Sequence, residues 1–224
     1  MSGKKGRPPA ARLLPIAVCL LVQAQTVSVV RLYPVDDTAR DPAFRSFVKK
    51  LRSAVEARNG NALRKLVDEE VVVGPADEDT GWPKFAVIWR PDRDDSKVWP
   101  VLSDLLSFGF IREHPSLFVS PYFVWRFPRE LSMATHLVVV RDKAALRTTP
   151  SVRAPAAASL SFEIVERLGR PESGEDLVRW VRVRTADGHT GYLSERDVVS
   201  PLTPRAQIGI RRGRWTLIAL EDQD

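Results

Sequence analysis

The sequence is poor in the side chains that most enzymes rely on. It has one cysteine, Cys19, and three histidines, His114, His136 and His189. No two histidines have the spacing of a zinc pair, and there is no His-Glu-x-x-His. Gly-x-Ser-x-Gly, a phosphate-cradling glycine loop and a dinucleotide fingerprint are also missing. Long apolar runs are scarce too. The one at Leu13–Val22 is about ten residues, half of what a membrane span needs.

That run follows a basic leader of Lys4, Lys5, Arg7 and Arg12, and Val22-Gln23-Ala24 offers modest side chains where a signal peptidase reads. The pattern predicts a signal peptide over residues 1–24, cleaved after Ala24, and an exported, periplasmic or extracellular product. The alternative is an uncleaved anchor running to Val30, which would be the only membrane attachment. Gln23, Gln25, Thr26 and Ser28 weaken it. Cys19 lies within the apolar run after Val18, which does not suit lipidation. A processed chain would have no cysteine, which excludes a disulfide framework, a thiol nucleophile and a Cys-based metal site.

Processing also changes the charge. The first 24 residues hold four of the 34 basic residues and none of the 28 acidic ones, so the remainder carries 30 against 28, a net charge of +2. Its charges are interleaved, whereas nucleic-acid binding needs a concentrated basic face, so no nucleic-acid partner is expected. Seventeen prolines against three tyrosines point to short elements and stiff connections.

Residues 25–40 read as a loosely ordered lead-in. Beyond them Phe44, Phe47, Val48, Leu51 and Val55 recur at helical spacing, with Asp41 as cap, Pro42 in the first turn and Gly60 as stop. A short second helix follows, with Leu63, Leu66 and Val67 inward, then a small strand at 71–73. FAVIW (85–89) reads as a strand. A third helix has Val98, Trp99, Leu102, Leu105 and Leu106 inward and ends at Gly109. From residue 117 the period shifts toward two, and LFVSPYFVWRF, HLVVVR and AALR read as short strands. The predicted class is therefore α+β, with an α+β domain over 41–134 and a nearly all-β domain over 135–224.

The second part carries a family resemblance. ALRTTPS (145–151), FEIVE (162–166), WVRVRTADGHTGYL (180–193) and DVVS (197–200) resemble a bacterial SH3-type domain, a small barrel of short strands found on many exported bacterial proteins. The loop at 168–179 is longer than the minimal form, and Gly-Tyr-Leu stands where Gly-Trp is commoner. The resemblance implies an SH3-like β-barrel and a non-catalytic role in binding a cell-envelope peptide, peptidoglycan or a protein partner. An extra hairpin follows, QIGIRRGRWTLIAL (207–220). Its second strand is apolar on both faces, which suits packing between the two parts.

Within the barrel segment, Asp187-Gly188 suits a tight turn. If Val181 and Val183 face a core, alternation turns Trp180, Arg182 and Arg184 outward, with Tyr192 in cross-strand reach. Trp180, Tyr192, Arg182 and Arg184 are thus the candidate ligand-binding residues, forming an aromatic and cationic surface for a peptide or carboxylate. The competing expectation is that both aromatics cap the barrel and pack against the long loop or the neighbouring domain.

No cofactor or metal is expected. The acidic loops at Asp77, Glu78, Asp79 and at Asp92, Asp94, Asp95 lack the roughly six ligands and closing Glu of a calcium loop. Glu69 and Glu70 are the only pair that suggests carboxylate catalysis on glycans, and neighbours on one element diverge. Two further roles remain: a cell-wall hydrolase using such carboxylates with the barrel as targeting module, and a structural or assembly module with buried aromatics.

Overall fold

Asp41 starts helix α1 (Pro42–Glu56) by accepting the Phe44 amide at 2.9 Å, and Phe44, Phe47, Val48, Leu51 and Val55 face inward, together with Ala54. The coordinates are a computed structural model that describes residues 29–76, 78–174 and 177–222. The basic leader, Cys19 and the cleavage position after Ala24 lie outside the described residues, as does Asp77.

Gly60 does not stop α1. The chain turns at Arg58, in left-handed conformation with φ 46°, and Asn59 then caps helix α2 (Gly60–Arg64) by accepting the Ala62 amide. Gly60 is needed for close approach instead, since a Cβ there would collide with the Pro91 carbonyl.

Strand β1 (Val67–Val72) leads to helix α3 (Trp82–Trp89), where FAVIW is helical and not a strand. Five consecutive apolar residues carry no period to separate the two. The helix buries Phe85 and Trp89, one turn apart, and leaves Val87 74% exposed. Helix α4 (Val98–Phe108) buries the five residues expected of it and ends at Gly109, φ 76°. Strands β2 (Ile111–His114) and β3 (Leu117–Ser120) follow. Pro121, joined by a cis peptide, ends β3, and Tyr122–Trp125 form a one-turn helix, α5, where continued strand was expected.

The second sheet is built from β4 (His136–Val139), β5 (Ala144–Arg147), β6 (Ala156–Leu160), β7 (Ile164–Arg167), β8 (Glu172–Ser173), β9 (Arg179–Arg184), β10 (Thr190–Ser194) and β11 (Val198–Val199). Its order is β11-β4-β7-β9-β10-β5-β6, with β8 against β9. Among the described residues no pairing joins β6 to β11. Leu146, Val165, Val181, Val183 and Leu193 are in its core.

The last hairpin, β12 (Arg205–Arg211) and β13 (Arg214–Glu221), lies in the first sheet, whose order is β1-β13-β12-β3-β2. Strand β13 runs parallel to β1, with Val67 opposite Leu217. The C-terminal residues thus fill the middle of a sheet whose other strands precede residue 121. Trp215 meets Phe44 and Phe118 edge-on at 5.2 Å each, within the core formed by α1, α4 and this sheet. The architecture is α+β with two sheets.

A third apolar cluster joins the two sheets: Ile111 and Val119 from the first, Tyr122 and Phe123 from α5, and Val138 and Ile164 from the second. The lead-in is fastened across the same junction, contrary to its expected looseness. The Leu32 amide donates to Phe162, Ile164 donates to Val30, and Arg31 pairs with Glu163 at 2.8 Å. Further on, the Asp37 amide donates to Phe110, and its carboxylate accepts the Arg112 amide.

Within this junction the Tyr122 hydroxyl has no hydrogen-bond partner among the described residues, and burial pushes its phenol up from 10.0 to about 12. The core accepts the neutral phenol and resists the phenolate. The stabilisation is therefore whole below pH ~10 and lost as pH rises toward 12, by up to about 1.4 kcal/mol per pH unit. Tyr122→Phe, which removes the group, should be near neutral at pH 7 and lose less stability than wild type above pH ~10. Urea unfolding of both proteins across this range checks it; parallel curves would contradict it.

Candidate functional site

The hairpin β9–β10 turns at Asp187-Gly188, with Gly188 at φ 91° and its amide donating to Thr185. The Thr185 hydroxyl and then His189 hold the Asp187 carboxyl below its ordinary value. Val181 and Val183 are buried, while Arg182 and Arg184 are exposed on the other face. That alternation was expected.

Trp180 departs from it. Alternation puts it on the outer face, yet it is only 3% exposed. Glu172 of β8 lies opposite Trp180, and a Cβ on Gly174 would stand 2.7 Å from the indole nitrogen while colliding with the Pro150 carbonyl. The segments around Pro150 and Gly174 thus roof the indole. Trp180 is a plug between sheet and loops and does not form an exposed rim, because the strand's outer face is covered at this end.

Tyr192 is half-buried and stands in a cross-strand row. It lies opposite Arg182 on one side and Arg147 on the other, and Arg147 in turn lies opposite Ala156. Strands about 4.8 Å apart put the two arginines on either side of the phenol, spanning about 10 Å. Arg147 is steadied by donating to the Ala154 carbonyl at 2.6 Å. Gly191 makes the row possible, because a Cβ there would stand 2.7 Å from the Arg147 carbonyl. Arg184 sits one row along and is neutralised by Glu166 at 2.9 Å. The Arg182 guanidinium has no hydrogen bond or ion pair among the described residues.

The structure therefore brings together Tyr192, Arg182 and Arg147, sets Arg184 aside in an ion pair and withdraws Trp180. Arg147 was missed from sequence. Its only signal was the Leu-Arg that opens the SH3-type pattern, and the strand pairing that brings it to Tyr192 has no local signature. Two guanidiniums flanking a phenol can hold a carboxylate and pack an apolar side chain.

The other candidates remain dispersed. His114 meets Ser116 at 2.8 Å, His136 meets the Ser132 carbonyl at 3.0 Å and His189 meets Asp187 at 3.0 Å, each with a partner close in sequence. Among the described residues no three His, Cys, Asp or Glu side chains gather where a metal could bind. Lys84 holds Asp79 low, and Arg93 does the same for Asp95. Glu69 and Glu70 are exposed on β1, with Glu69 3.7 Å from Arg212. No described helix is long and apolar enough to cross a membrane. No family model, curated protein or solved structure matches the chain.

Proposed function

We propose that the protein is an exported, non-catalytic binding protein whose second sheet acts as an SH3-type module, holding a carboxylate-bearing peptide segment of the cell envelope on the Arg147–Tyr192–Arg182 row. The observation that carries this is the row itself: a tyrosine with an arginine opposite it on each neighbouring strand, neither arginine in an ion pair among the described residues. Ion-paired arginines have their charge satisfied within the fold, as Arg184 does with Glu166, whereas Arg182 keeps its donors for a partner. The sheet of short antiparallel strands around a small aliphatic core supports the SH3-type reading. The basic leader and short apolar run support export.

Retention on purified sacculi, with release of soluble fragments assayed in the same tube, tests the proposal. The protein should sediment with the sacculi and release nothing. Fragment release would favour the hydrolase. Failure to sediment would favour an assembly role, for which the burial of Trp180 is the supporting observation.

A further inference from the structure

A concave surface lies in the other half, where the turn between α1 and α2 faces the start of α3 and the loop after it. It is a cleft of about 730 Å³, and the polar side chains lining it are those of Arg58, Asn59, Asn61, Arg64, Trp82 and Asp92. Clefts of this size suit small ligands. Its basic groups are held in place. The Arg64 guanidinium lies over the Trp82 ring, 4.7 Å from its centroid, and the indole is itself stacked on Phe85 at 5.2 Å. Arg64 donates to the Val67 carbonyl at 3.3 Å and Arg58 to the Asp94 carbonyl at 2.9 Å, each through one nitrogen. Neither arginine has an ion pair among the described residues. A guanidinium held over an indole loses little freedom when it binds, which favours a planar, two-oxygen anion.

We propose that this cleft is a binding site for a monoanion in which a carboxylate is attached to an amide-bearing body, the chemistry of a peptide C-terminus. Charge selects the anion. Two guanidiniums and the Asp92 carboxylate leave the lining at a net charge of +1, which suits one carboxylate better than a doubly charged phosphate. The amides select the body. Asn59 uses its oxygen to cap α2, leaving its nitrogen for a ligand carbonyl, and Asn61 lies exposed beside it. Ala86 and Pro91 supply an apolar wall. Gly60, unable to carry a Cβ against the Pro91 carbonyl, keeps that floor closed.

The site stands apart from the Arg147–Tyr192–Arg182 row, so the two fail separately. N-acetyl-alanyl-alanine titrated into the full chain, with the Trp82 indole proton followed by NMR, should bind saturably with a Kd of about 1 mM. Its C-terminal amide and inorganic phosphate should bind at least ~10-fold more weakly, one lacking the anion and the other the planar fork. Arg64→Gln and the more exposed Arg58→Gln should each weaken the acid at the Trp82 reporter roughly 10-fold, the worth of a charge-assisted hydrogen bond, while Arg182→Gln, remote from that indole, leaves the Trp82 response unchanged. Equal binding of acid and amide, tighter binding of phosphate, or unchanged affinity in both Arg58→Gln and Arg64→Gln would overturn the assignment.

Discussion

Trp215→Ala is expected to lower the stability of both halves together, by roughly 3–5 kcal/mol, the usual range for deleting a buried tryptophan. Trp215 is 8% exposed and lies on β13, whose neighbours are β1 and β12. Its indole closes an aromatic group in which Phe44 stacks on Phe118 at 3.6 Å and meets Phe110 edge-on at 5.4 Å. Loss of the indole loosens α1 from β3 and β13. Because β3 also supplies Val119 to the cluster shared with Val138 and Ile164, the damage should reach the second sheet. The measurement is denaturation followed at two reporters, the Trp89 indole in the first half and the Trp180 indole in the second. Both should shift to the same new midpoint. If the second reporter keeps the wild-type midpoint, the halves unfold independently and the junction is too weak to couple them.

Trp180→Ala should be nearly as costly, again roughly 3–5 kcal/mol. The indole fills the space between β9 and the segments around Pro150 and Gly174. Gly174 is tied down by its amide donating to Val178 at 2.9 Å, and the Thr148 amide donates to Pro155 at 3.1 Å. With the indole gone, these amides should exchange with solvent much faster than in wild type, while the Val183 amide in the sheet interior remains the slower one. Tyr192→Ala, at a half-buried position on an open face, should cost about 1 kcal/mol. Equal costs for the two substitutions, with the Gly174 and Thr148 amides still protected, would mean that the loops hold themselves and that Trp180 is not their support.

Much of this architecture is legible in the residues. Helix α1 can be read because Phe44, Phe47, Val48, Leu51 and Val55 keep one face and Asp41 marks the start; both are local signals. The Asp187-Gly188 turn and the inward Val181 and Val183 are equally local. FAVIW is illegible for the opposite reason. Its apolar residues are contiguous, and only the tertiary burial of Phe85 and Trp89 shows that they follow a helix. Apolar atoms on both faces of β13 suggested packing between the two parts, whereas the strand lies inside the first sheet between β1 and β12. Nothing local could show that it runs parallel to β1, since the partners Val67 and Leu217 are remote in sequence.

The candidate site divides along the same line. Strand alternation places Arg182 and Tyr192 correctly, because it depends on neighbouring residues. Alternation fails for Trp180, because the cover comes from two loops whose paths are set elsewhere. Arg147 could not be found by periodicity at all; it reaches Tyr192 through the register of β5 on β10. The lead-in carries no apolar period either, and its fastening depends on backbone donors to Phe162 and Phe110 that composition does not reveal.

The claim that the Arg147–Tyr192–Arg182 row is a binding surface is tested most directly by measuring affinity for sacculi and thermal stability on the same preparations of wild type, Arg182→Gln and Tyr192→Ala. The account predicts that each substitution weakens retention roughly tenfold or more, as for central anchors of an interface, while Arg182→Gln, an exposed change, leaves the midpoint within about one degree of wild type. Undiminished retention in both variants, with the fold intact, would contradict it.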